Sequence, residues 1–109
     1  MARLPSSFRK RNRNTRTFRH LYAALPAHVQ SAVRDACVVF DNDPFRKSLR
    51  RHILKRNSRG KHEDGSVSIS VSLDYRAIYV TEDGINVWYW IGTHADYDTF
   101  VGRKPRRGR

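Results

Sequence analysis

Three side chains in the second half of this sequence are of types that handle phosphate and protons. Arg76 is the one Lys or Arg between residues 62 and 102, and it stands between Tyr75 and Tyr79. His94 and Tyr97 lie one helical turn apart in the run Trp88-Tyr89-Trp90-Ile91-Gly92-Thr93-His94-Ala95-Asp96-Tyr97-Asp98. A histidine exchanges protons near neutral pH, and the planar fork of an arginine matches a phosphate. Each residue also has a structural role open to it. Arg76 can pair with Asp74 or Asp98, His94 can cap a helix, and Tyr97 can fill a core.

Other chemistries lack their residues. A single Cys, Cys37, excludes a disulfide framework and a CxxC zinc site. His94 and Asp96 have no third ligand nearby, so no metal is expected. Gly60 and Gly65 lack the spacing of a phosphate-binding loop, and no cofactor is expected. Glu63 and Asp64 are adjacent, point apart on an extended chain, and read as loop surface.

The charge narrows the partner. The 109 residues carry 22 Lys+Arg against 10 Asp+Glu, a formal net charge of +12. Twenty of those bases fall in three acid-free blocks, residues 1–20, 45–61 and 103–109. Such packing of like charge points to a polyanion, most simply nucleic acid. In the central block Arg50, Arg51, Lys55 and Arg56 are placed to grip phosphates. A hydrophobic content of 39% allows a core and excludes a wholly disordered chain. No apolar run is long enough to cross a membrane, and a cytoplasmic protein is expected.

The elements that must position these residues follow from periodicity. Phe18, Leu21, Tyr22 and Leu25 mark one face of a first helix. Val29, Ala32, Val33, Ala36, Cys37 and Phe40 mark a second, stopped by Asp41-Asn42-Asp43-Pro44. A short loop between them predicts an antiparallel pair. Leu49, Ile53 and Leu54 read as a short edge strand. Val67, Ile69, Val71 and Leu73 alternate with Ser66, Ser68, Ser70 and Ser72, a half-buried strand whose serines face solvent. Tyr75 to Val80 forms a second strand, Glu82-Asp83-Gly84 a turn, and Ile85 to Ile91 a third. Thr93 caps a last short helix bearing Tyr97, Phe100 and Val101. The expected fold is α+β: a helix pair packed on one face of a small antiparallel sheet, the other face open and rimmed by the central basic block. The domain spans residues 13–102, with basic tails at 1–12 and 103–109.

Taken together, several of these pieces resemble a known family. They are Phe18-Arg19 with Leu21-Tyr22 and Leu25-Pro26, Ser48-Leu49-Arg50, Ser68-Ile69-Ser70-Val71, Tyr75-Arg76-Ala77-Ile78, and the run Trp88 to Asp98. The chain is similar over residues 16–101 to the RelE/ParE superfamily of bacterial type II toxins, in particular its RelE/HigB-like branch. That resemblance implies a toxin neutralised by an antitoxin. RelE-like and HigB-like members are mRNA interferases, endoribonucleases that cut mRNA on the ribosome; ParE-like members inhibit DNA gyrase without RNase chemistry. A homologue that only binds nucleic acid is a third possibility. For an RNase it implies Arg76, His94 and Tyr97 as catalytic residues, and His52 and Lys55 beside Arg50, Arg51 and Arg56 on the RNA. Ser70 stands where an Arg is common in the family, which removes one phosphate ligand.

Overall fold

The computed structural model describes residues 11–103. Of the expected basic tails, residues 1–10 and 104–109 lie outside the described residues. Arg11, Asn12 and Arg103 lie inside them and belong to the fold.

The two expected helices form. α1 (Arg16–Ala23) starts at Thr15, whose Oγ1 accepts the Phe18 N–H at 3.1 Å, and it buries Phe18 and Tyr22. α2 (Ala27–Asn42) buries Val29, Val33, Cys37 and Phe40 along one stripe. It runs on through Asp41 and Asn42, residues read as its stop, and closes with the Asp43 N–H on the Val39 carbonyl at 2.9 Å. Gln30 ties the helices together: its Nε2 donates to the Tyr22 carbonyl at 3.0 Å, and the Tyr22 hydroxyl donates to the Gln30 carbonyl at 3.3 Å.

Among the described residues the sheet has five strands rather than the expected three or four. They are β1 (Asn12–Asn14), β2 (His52–Ile53), β3 (Val67–Ser72), β4 (Tyr75–Glu82) and β5 (Ile85–Thr93), in the order β1-β5-β4-β3-β2. β3, β4 and β5 make the expected antiparallel meander, and β2 adds to its edge. β1 begins at Asn12, the last residue of the expected N-terminal tail, and pairs parallel to β5, Asn12 opposite Asn86. Its sequence, Asn-Arg-Asn, has no apolar alternation to announce a strand. Pairing and one side chain hold it instead, since Asn12 is buried and its Oδ1 accepts from Trp88 Nε1 at 2.8 Å and Asn86 Nδ2 at 3.2 Å. Asn12→Ala removes an acceptor shared by two donors. It is expected to lower stability by about 1–3 kcal/mol, read by denaturant unfolding.

Both helices pack on one face of the sheet, against Val67, Ile69, Val71, Ala77, Tyr79, Trp88 and Ile91. Phe40, Tyr79 and Trp88 form its aromatic centre, with ring centroids 4.5–5.3 Å apart. Cys37 lies in this core, as its place on the apolar face predicts. Burial, and then the charge of Asp41, push its thiol up to about 12. The thiolate is the reactive form. Cys37 is therefore expected to ignore a thiol reagent at pH 8 in the native protein and to react once denatured, read as absorbance of the released thiolate.

The opposite face is not open. α3 (His94–Phe100) lies across it and closes a second core of Leu54, Ile78, Tyr97 and Val101, with Tyr89, Trp90 and Phe100 against them. A bulge at Tyr89 makes this possible. Tyr79 pairs with Trp88 and Ile78 with Trp90, so Tyr89 is an additional residue on β5. Trp88 then faces the helix pair while Tyr89 and Trp90 both serve the second core. The expectation of solvent-facing serines at the start of β3 is corrected with the face they occupy. Ser66 and Ser68 are fully buried, bonded to the hydroxyls of Tyr89 at 2.6 Å and Tyr97 at 2.9 Å. The expected single strand around Leu49 to Leu54 also divides. Leu49 sits in a 3-10 turn and enters the first core, Leu54 enters the second, and Ile53 stays exposed.

Candidate functional site

β5 delivers the chain to the site through Gly92, where a Cβ would lie 2.7 Å from the Trp90 ring. Thr93, not His94, caps α3: its Oγ1 accepts the Asp96 N–H at 3.1 Å. His94 is anchored by its backbone N–H on the Asp74 carbonyl at 2.7 Å, and its imidazole is left half-exposed. One turn on, Tyr97 points inward. Its ring lies 5.8 Å from that of His94, and its hydroxyl rests on Ser68.

Arg76 is the unusual residue. It is 8% exposed, yet no carboxylate pairs with it among the described residues. Neither Asp74 nor Asp98 takes the ion-pair role open to them. Its Nη2 donates instead to the Arg50 carbonyl at 2.9 Å and to Ser68 Oγ at 2.8 Å, and its guanidinium lies 5.1 Å from the centre of the Tyr97 ring. Arg50 offers that carbonyl from a left-handed backbone, φ 46°, a strained conformation for a non-glycine residue. Arg76 Nε is buried and meets no acceptor among the described residues. Burial pulls the Arg76 pKa below its ordinary value, Tyr97 opposes that shift, and the charges of Arg103 and Arg50 add to it. A buried charge without a counter-ion is costly, and an entering anion would relieve it.

Arg76 opens into a cavity of about 200 Å³ lined by Arg50, His52, Arg76, His94, Tyr97 and Arg103. A groove of about 410 Å³ between α2 and the β3–β4 turn shares Arg50, Arg76 and His94 with it. Five of the six described residues that line the smaller cavity are basic types. Burial, then Arg103, Arg76 and Lys55, hold the pKa of His52 below the usual histidine value, as expected of a base among cations.

The fold thus gathers Arg50, His52, Arg76, His94 and Tyr97 from residues widely spaced in sequence. It leaves the other expected nucleic-acid contacts outside the cavity. Arg51 lies over the exposed Phe45 ring at 4.7 Å. Arg56 pairs with Asp64 at 3.3 Å, and Lys55 is exposed, its carbonyl bonded to His62 Nε2 at 2.8 Å. Two residues of the site were not anticipated. Ser68 links Arg76 to Tyr97, and Arg103 comes from the block read as a tail. Among the described residues no group of three or more His, Cys, Asp or Glu is placed to hold a metal ion. Likewise no helix among them is long and apolar enough to cross a membrane.

No family model matches the sequence, and no curated protein matches it. A solved structure does. It is a copper-bound mutant toxin from Helicobacter pylori, 14% identical, superposing with a TM-score of 0.53 over 79% of this chain and 96% of that one. The fold resembles that of a bacterial toxin. The likeness is one of fold, and what the site does is argued from its own residues.

Proposed function

We propose that this protein is the toxin of a type II toxin–antitoxin system, a metal-independent endoribonuclease of the RelE/HigB-like kind. The observation that carries the reading is Arg76, a buried guanidinium that meets no carboxylate among the described residues and faces a cavity lined by Arg50, His52, His94 and Arg103. The toxin-like fold and the net charge of +12 accord with it.

In the proposed reaction the ribose 2′-oxygen attacks the adjacent phosphorus. The P–O5′ bond breaks, leaving a 2′,3′-cyclic phosphate and a 5′-hydroxyl. One proton leaves the 2′-hydroxyl and one reaches the 5′-oxygen. His94, half-exposed at the cavity, is the proton-transfer group. Arg76 stabilises the charge that builds on the phosphoryl oxygens. Tyr97 is a positioning residue: it is fully buried, its ring supports Arg76 and its hydroxyl fixes Ser68. Arg50 and His52 flank the phosphate, while Arg51, Lys55 and Arg56 on the adjoining surface hold neighbouring RNA or ribosome. Neutralisation falls to an antitoxin protein.

A short pulse of expression in growing bacteria, with RNA ends mapped before and after ribosomes are stalled, tests this reading. New 5′-hydroxyl ends within translated mRNA are expected. Growth arrest with intact mRNA and damaged DNA would overturn it in favour of gyrase inhibition.

A further inference from the structure

Arg103 reaches the candidate site through a turn dictated by backbone chemistry. After α3 the Gly102 N–H donates to the Thr99 carbonyl at 3.1 Å and the Arg103 N–H to the Asp98 carbonyl at 2.8 Å, the paired bonds of a Schellman turn. Gly102 sits at φ 80°, and a Cβ there would lie 2.6 Å from the Gly60 nitrogen. The turn sends Arg103 back over α3, its guanidinium 5.6 Å from the centre of the Tyr97 ring. Arg76 lies 5.1 Å from the centre of the same ring. Two guanidiniums therefore share one aromatic residue at the cavity wall, although like charges repel.

Asp98 sits beside this pair. A single oxygen, Oδ1, lies 3.5 Å from Arg103 Nη1 and 3.9 Å from His94 Nε2. Both contacts are long, and the Arg103 side chain is 48% exposed, so the ion pair is weak and readily exchanged.

We propose that Arg103 is a second phosphate ligand of the site, held on Asp98 in the free protein and handed to the phosphodiester when it enters. Asp98 then passes to His94 and orients its imidazole as a positioning residue. The inference rests on the reading that this cavity takes a phosphodiester. The exchange matches charge with charge. Arg103 trades a distant carboxylate for a phosphate within the reach of Arg76, and the released carboxylate meets an imidazole that gains a proton during the reaction.

The test is an NMR titration of the full chain with inorganic phosphate, following the His52 ring in the same cavity. Phosphate is expected to raise the His52 titration midpoint, because an anion favours the protonated ring. Arg103→Gln is expected to weaken phosphate binding about ten- to a hundred-fold, and Arg103→Lys to recover part of the loss. Asp98→Asn is expected to tighten phosphate binding, because the competing carboxylate is gone. In RNA cleavage Asp98→Asn should lower both kcat and KM. The opposite signs of the Arg103 and Asp98 variants on phosphate affinity are the signature, since damage to the fold would weaken both. Unchanged binding in Arg103→Gln, or weakened binding in Asp98→Asn, overturns the proposal. Phosphate binding that follows the expected pattern in a protein that cuts no RNA would leave the Arg103 assignment standing and remove the nuclease reading.

Discussion

Arg76→Met is expected to slow RNA cleavage by at least about a hundred- to a thousand-fold while leaving the thermal midpoint unchanged or raising it. The loss of activity follows from the position of Arg76. Removing one preorganised donor from a site of charge development typically costs about a hundred- to a thousand-fold in kcat, and Arg76 offers a full charge from a buried position. The stability follows from the same burial. Arg76 is 8% exposed and has no counter-ion among the described residues, so the native state carries an uncompensated charge. Replacing buried ions with apolar groups of similar volume is often neutral or stabilising. Methionine keeps an unbranched stem against Tyr97 and gives up the bonds to the Arg50 carbonyl and Ser68. Arg76→Lys should restore part of the activity, because a point charge replaces a fork. Calorimetry and single-turnover cleavage of a defined RNA measure the two halves. A methionine variant that unfolds well below the wild type would make Arg76 a structural residue.

His94→Gln is expected to lower the cleavage rate by about a hundred- to ten-thousand-fold, the range of general acid–base catalysis. The fold should not move. Thr93 performs the capping, the bond from residue 94 to Asp74 is made by the backbone, and the imidazole is half-exposed. Glutamine keeps a donor near Asp98 and cannot shuttle a proton. Single-turnover cleavage at saturating RNA separates the proton-transfer step from binding. A folded variant that cuts at the wild-type rate removes His94 from the chemistry.

Much of the architecture was legible because it rests on local periodicity. The stripe from Val29 to Phe40 and the alternation from Val67 to Val71 each name their own element and buried face. The missed parts depend on what lies far away in sequence. β1 has polar residues and exists through its pairing with Asn86, Val87 and Trp88. The burial of Ser66 and Ser68 was missed because one sheet face reads as open in the sequence. A sequence signal for the second core was present: Tyr97, Phe100 and Val101 form an apolar helix face that must be covered, and the face bearing Ser68, Arg76 and Ile78 was free to cover it. At the site, residue type singled out Arg76 and His94, which no repeating pattern explains. Charge density was a blunter guide. It placed Arg51, Lys55 and Arg56 together with Arg50, and of these four Arg50 alone is among the described residues that line the cavity. It also hid Arg103 in a tail, since nothing in Arg-Lys-Pro shows that Gly102 turns the chain back.

The parallel pairing of β1 with β5 sets the order in which the protein can come into being. A ribosome makes Asn12 long before Asn86, the residue opposite it, and α1 is packed through Phe18 against Trp88 of the same late strand. Contacts this distant in sequence form slowly and late. Until β5 has been synthesised, the apolar side of α1 has no sheet to lie on, and the nascent chain must be kept from sticking to its neighbours. His94, Tyr97 and Arg103 follow β5. A chain stalled at any earlier codon therefore holds neither a closed fold nor the cavity gathered around Arg76.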